Sequence, residues 1–229
     1  MAFTVHAAQG GNTAVGMTTY ILVFTGASAS QPGATGGSST RTSASLSQIL
    51  TPLSTGSFLY ASMLSISGAG TISPLSGQSV PYSNTGGGLN FTYVSFTSGT
   101  TAGSNVTIGG TNTSNTCISI AAIEIQQKSG QTLAVDASSP GGAFLNNSSI
   151  TSSSFTPPNG SLIMVALSTN GGSGVTTMAI TDTSGLGLTW TEQVKQDPGN
   201  NGYVGVWTAR MPGGTTTSST PGVSMMGVG

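Results

Sequence analysis

The sequence predicts an all-β protein built from two similar antiparallel β-sandwich lobes. Three observations predict it. Gly, Ser, Thr and Asn dominate, and no long window places apolar residues at helical spacing. Short runs of β-branched and aromatic residues alternate with polar ones, with turn residues between them. An internal repeat sorts these runs into two matching series.

Taken in order, Phe3–His6 reads as a short strand before a Gly/Asn-rich turn, and Met17–Thr25 as a long apolar strand. The turn Thr51-Pro52-Leu53-Ser54-Thr55-Gly56 leads into a core strand at Ser57–Ile66. Pro stiffens the entry and Gly supplies the unusual backbone angle. Strands follow at Leu89–Thr97, Asn105–Ile108 and Cys117–Gln126, then at Ile150–Phe155. Thr156-Pro157-Pro158-Asn159-Gly160 repeats the earlier turn with one residue fewer and opens Ser161–Ser168. Cys117–Gln126 and Ser161–Ser168 are apolar on both faces in places, which predicts central positions. Val175–Thr181, Leu188–Gln196 and Gly202–Arg210 complete the series, and Asn170-Gly171 and Asn201-Gly202 fit tight turns.

The repeat has a displaced end. Thr4, Asn12, Thr13, Met17 and Leu22 align without a gap on Thr107, Asn115, Thr116, Ile120 and Ile125. Tyr93-Val94 resembles Tyr203-Val204. The expected lobes are therefore residues 26–130, and residues 131–229 completed by strands from residues 1–25. The completing strands belong either to the same chain, the favoured reading, or to a neighbouring copy. Val223-Ser224-Met225-Met226 is an alternative for the short strand alone. Each lobe is expected to be of jelly-roll or immunoglobulin-like type.

Composition excludes several function classes. Only 4% of the 229 residues are charged and the net charge is −1. Four dispersed cations cannot neutralise the several phosphates that nucleic-acid affinity needs, so no nucleic-acid partner is expected. Tyr20–Phe24 and Leu162–Ala166 are far too short to span a bilayer, so no membrane partner is expected either. A near-neutral Ser/Thr/Gly surface favours packing against copies or partners. Cys117 is the one cysteine and is expected to be buried and apolar, without an intrachain disulfide.

The chemical inventory predicts no enzyme, no cofactor and no metal. His6 is the one histidine and reads as structural. Asp182-Thr183-Ser184-Gly185 lacks the further carboxylates of a calcium loop and reads as an Asp-capped turn. Gly86-Gly87-Gly88 and Gly213-Gly214 lack the Lys-Ser/Thr of a phosphate loop. An acid pair for glycoside hydrolysis has only Glu124, Asp136, Asp182, Glu192 and Asp197 to draw on. Asn90, Asn105, Asn112, Asn146, Asn147 and Asn159 begin Asn-x-Ser/Thr sequons, which arise by chance in so Ser/Thr-rich a chain. Trp190, Tyr203 and Trp207 either form a sugar-stacking platform or pack in a sandwich core, and the core is the favoured reading.

One resemblance remains. Ser154–Leu162, Ile180–Thr191 and Gly202–Ala209 together resemble the β-sandwich virion proteins of tailed phages, of minor tail or head-decoration type, and related modules of secreted bacterial surface proteins. Tyr20–Ala27 resembles the strand that follows the Trp207 region in those relatives, which again implies a circular permutation. The resemblance implies a non-enzymatic structural protein of a phage particle, on capsid or tail. Its implied partners are copies of itself, or a major capsid or tail protein. The virion surface is the implied location, with an extracellular or cell-surface site as the alternative. Met1–His6 has no basic region before an apolar run, so no secretory signal is read there, and release by cell lysis is the expected route. A chain whose signal was removed and replaced by Met1 is the alternative. The alternative functions are a glycan-binding adhesin module, with host-surface glycan as partner, and a filament subunit assembled by strand donation.

Overall fold

The computed structural model describes residues 1–10, 16–66, 72–86, 89–112, 117–172, 177–197 and 201–213. Among them the regular structure is strand throughout. In chain order the strands are β1 (Val5–Gly10), β2 (Met17–Thr25), β3 (Thr35–Ser43), β4 (Ser45–Leu50), β5 (Phe58–Ile66), β6 (Ser73–Pro74), β7 (Ser79–Gly86), β8 (Leu89–Phe96) and β9 (Val106–Thr111). They continue as β10 (Cys117–Ile125), β11 (Ala134–Val135), β12 (Gly141–Leu145), β13 (Ser149–Thr151), β14 (Leu162–Gly172), β15 (Thr177–Asp182), β16 (Thr191–Gln196) and β17 (Asn201–Arg210).

These strands make four antiparallel sheets. A large sheet has the order β3-β10-β5-β8-β7 and a small one the order β4-β9-β6. A second large sheet has the order β11-β2-β14-β17-β16, with β12 also on β2, and a second small one the order β13-β1-β15. In each set consecutive strands alternate between the two sheets except for one hairpin in the large sheet, β7–β8 or β16–β17, and the pair β3 with β10 or β12 with β2 closes the set. Such wrapping of strand pairs across two facing sheets makes an antiparallel β-sandwich.

Burial stacks the sheets in four layers, small, large, large, small. Val5, Ala7, Ile150 and Ile180 of one small sheet pack on Ile21, Val165 and Trp207 of the large sheet beneath. Leu46, Ile72 and Ile108 of the other pack on Met63, Val94 and Ile120. Between the two large sheets lie Leu22, Phe24, Met164 and Val206 against Tyr60, Tyr93 and Ile123. This explains why β2 is buried from Met17 to Phe24 without alternation. A strand covered on both faces needs apolar residues on both. Each such side chain contributes about 1.5–3 kcal/mol on leaving water.

The N-terminal strands lie inside the second set and belong to the same chain. β1 is the middle strand of its small sheet, paired with β13 and β15. β2 lies between β12 and β14. The short strand is β1 at Val5–Gly10, later than the expected Phe3–His6, and Phe3 makes only an isolated bridge to Phe155. Val223–Met226 and the Asn12-Thr13 and Asn115-Thr116 turns fall outside the described residues. Strand for strand, β3-β10-β5-β8-β7 matches β12-β2-β14-β17-β16, and β4-β9-β6 matches β13-β1-β15.

Register corrects two of the sequence matches. Pairing Gly56-Ser57-Phe58 with Gly160-Ser161-Leu162 makes Tyr60 the counterpart of Met164. Ile123 pairs with Tyr60, and Leu22 with Met164. Leu22 therefore corresponds to Ile123 and not to Ile125. An even shift keeps every side chain on its face, so the apolar pattern alone did not reveal it. The second correction does change face. Tyr93 pairs with Ser62, and Val206 with Ala166, so Tyr93 corresponds to Val206 and Val94 to Trp207. Tyr93 and Val206 point between the large sheets, whereas Tyr203 points to the outer core.

Other differences have plain causes. β3, β4, β6, β7, β11 and β12 were not expected from the sequence. All are edge strands, short or rich in Ser, Thr and Gly, and apart from β4 each buries little apolar surface. Asn170-Gly171 and Asn201-Gly202 are not turns; they extend β14 and β17 at a register shift between Thr169 and Gly172.

The two large sheets face each other in opposite order. β14 lies over β5, β17 over β10, β16 beside β3 and β12 beside β7, while Tyr20 of β2 stacks on Tyr93 of β8 at 5.2 Å. The central strands β5 and β14, which are counterparts, thus face each other, and every other strand faces the counterpart of the strand at the mirrored position in its own sheet. An approximate twofold axis along the strand direction relates the two sets, as in an isologous dimer. Ser62 and Ser168 share a hydroxyl hydrogen bond of 2.7 Å across this interface. At one end the segments after β2 and β10 form a reciprocal bridge. Ser28 N donates to Gln126 O at 2.9 Å, and Lys128 N donates to Gly26 O at 2.8 Å.

Candidate functional site

A strand-parallel twofold places the two Pro-containing turns, before β5 and before β14, at the same end of the molecule. They are fastened by opposite charges. Glu124, buried on β10, accepts Leu53 N at 2.9 Å, Ser54 N at 3.1 Å, Ala34 N at 2.7 Å and the Ser57 hydroxyl at 2.7 Å. Four donors on one carboxylate offset its loss of water. Around the second turn, Arg210 closes β17. Its Nη1 donates to Gly160 O at 2.8 Å and its Nη2 to Ser28 O. Burial lowers the Arg210 pKa, but a guanidinium stays charged throughout the useful range. Its hydrogen-bond acceptors here are backbone carbonyls.

Beside Arg210 the surface opens. A cleft of about 390 Å³ lies between Thr25–Ala29 and Asn159–Ser161, lined also by Lys128, Gln131 and Arg210. A second, of about 370 Å³, is lined by Gln31, Thr189, Thr191, Gln193 and Thr208 and shares Ala29 and Arg210 with the first. Because Ala29 and Arg210 line both, the two adjoin as one groove, and Lys128 lines its first part. Among the described residues no Asp or Glu lines either part. A third cleft, of about 350 Å³, is lined by Leu53, Ser54, Thr55, Gln127 and Lys128. It is the counterpart of the first across the twofold axis and has no guanidinium. Hydroxyls, amides and two cations equip the groove to hold a polar ligand.

The residues singled out in the sequence are placed as follows. His6 lies half-buried on the outer face of β1, beside Thr151 and Thr181. Asp182 caps its own turn, accepting Ser184 N at 2.9 Å and Trp190 Nε1 at 2.9 Å. Asp136 likewise accepts Ser138 N at 2.9 Å. Glu192 accepts the Tyr203 hydroxyl at 3.1 Å and pairs with Lys195 at 3.4 Å. Burial and the neighbouring Glu192 carboxylate raise the Tyr203 phenol well above its ordinary value.

Tyr203 and Trp207 are buried and stack at 6.2 Å in the outer core, with Trp190 partly buried against them. Their rings do not form an exposed platform. Asn90 and Asn112 are buried, so those two sequons are not open to a transferase. The Cys117 side chain, Gly87-Gly88 and Gly214 lie outside the described part. Among the described residues no three His, Cys, Asp or Glu side chains group as a metal site. No helix among them is long and apolar enough to cross a membrane.

Sequence reasoning passed over Lys128 and Arg210 as scattered cations. The available signal was positional, since each follows or ends a core strand of its own half.

Comparison with protein-family models, with curated proteins and with solved structures found no match.

Proposed function

We propose that this chain is a non-enzymatic structural protein of a phage particle, displayed on capsid or tail. The observation that carries the reading is a pair of like outer faces, without acidic or basic side chains among the described residues apart from His6, on one closed body. Ser149, Thr151, Thr177, Ala179 and Thr181 face out from one small sheet, and Ser45, Ser47, Thr107 and Thr111 from the other. Such faces lose less solvation free energy on docking than charged ones. The pairing of β1 and β2 within their own chain favours a closed subunit over strand donation to a neighbour. Quantitative mass spectrometry of purified particles is the test. The reading expects the chain in fixed ratio to the major capsid or tail protein, and its absence from washed particles contradicts it.

A further inference from the structure

We propose that the groove running from Lys128 past Arg210 to Thr191 binds an acidic polysaccharide strand, one whose sugars carry carboxylate or sulfate groups. Charge is the first argument. The chain has only four Lys and Arg residues, and two of them line this one groove while no acid among the described residues does. Arg210 is held by backbone carbonyls of Gly160 and Ser28, so its bonds leave its charge uncancelled. A surface this poor in ions has few neighbours to offset a local positive potential.

The neutral lining is the second argument. Asn159, Gln131, Gln193 and Thr191 offer amides and hydroxyls, which serve as both donors and acceptors for sugar hydroxyls. Shape is the third. Two clefts of about 390 and 370 Å³ joined at Arg210 form an elongated site, each part at the lower end of the range for small-molecule pockets. No aromatic side chain lines it, so neutral sugars gain no stacking there and the acid group decides affinity. The site is independent of the particle reading, because the groove is the same on a free protein.

The test is calorimetric titration of the purified chain with three hexasaccharides: galacturonate, heparin-derived and maltose-derived. An acidic hexasaccharide should bind and maltohexaose should not. Binding of the galacturonate alone assigns the carboxylate, and of the heparin fragment alone the sulfate. Affinity should fall between roughly 0.1 and 1 M salt as charges are screened. Lys128→Gln should weaken binding by about tenfold or more. Thr191→Trp should block the groove, and Gln193→Ala should weaken binding without filling it. Ser47→Trp, on the exposed outer face of β4, should change nothing, with thermal melts confirming that each variant folds. The proposal is overturned if neither acidic hexasaccharide binds, if maltohexaose binds as well, or if folded Lys128→Gln and Thr191→Trp proteins keep the original affinity.

Discussion

The hydroxyl of Ser57 shares its one proton between the Glu124 carboxylate and the Ser54 carbonyl, 2.8 Å away, and the hydroxyl of Ser161 donates to the Pro158 carbonyl at 2.7 Å. The two serines occupy counterpart positions and close counterpart turns. Gly56 N and Gly160 N also find matching acceptors, in Thr100 O at 3.1 Å and Pro212 O at 3.0 Å. Local detail therefore follows the same twofold relation as the sheets.

Gly56 and Gly160 have φ of +78° and +71°. A Cβ at Gly160 meets open space, whereas one at Gly56 would lie 2.0 Å from Gln127 Oε1. Gly160→Ala should cost about 1–2 kcal/mol from backbone strain alone, and Gly56→Ala should cost more. Urea unfolding of both variants checks the order.

Glu124→Ala leaves the donors of Leu53, Ser54, Ala34 and Ser57 without their shared acceptor. The expected loss is about 3 kcal/mol or more, with Glu124→Gln losing less because one oxygen remains. Equal stability of Glu124→Ala and the parent chain in denaturant would remove this account of the first turn.

Trp207 fills the outer core, so Trp207→Ala should cost about 3–5 kcal/mol. Trp190 is only partly buried and Trp190→Ala should cost distinctly less. Similar small losses for both would return the pair to the surface.

Tyr60, Tyr93 and Tyr203 are all pushed above the ordinary phenol value of 10.0, each first by burial. A group whose folded pKa is raised stabilises the fold below its unfolded pKa and loses that contribution as pH rises toward the folded one. Stability should therefore hold up to about pH 10 and decline above it. Melts taken between neutral pH and strong base test this, and a decline centred well below the phenol range would point to other groups.

The sequence carried the interior more clearly than the rim. β2, β10 and β14 were legible because both faces are buried and both are apolar. β3 was not, because an edge strand of Ser, Thr and Gly buries little and shows no period, and β7 was not, because Val80 and Tyr82 are its only half-buried apolar positions and Pro81 stands between them. Glu124 stands between Ile123 and Ile125 in an otherwise apolar strand, a signal of a satisfied buried charge that composition counts overlook. The Tyr93–Tyr203 match failed because similar residue pairs recur on opposite faces of counterpart strands. The groove was illegible since Lys128, Arg210 and Thr191 are far apart in sequence and meet only through the fold.

The central claim is that the N-terminal strands complete the second set of sheets in their own chain. His6 pairs with Thr181 on the outer face of β1 and β15. A protein carrying His6→Cys, Thr181→Cys and Cys117→Ser should, on mild oxidation, form a disulfide within each chain and run as a monomer on non-reducing gels. Covalent dimers or ladders in its place, or two free thiols that never join, would contradict the claim.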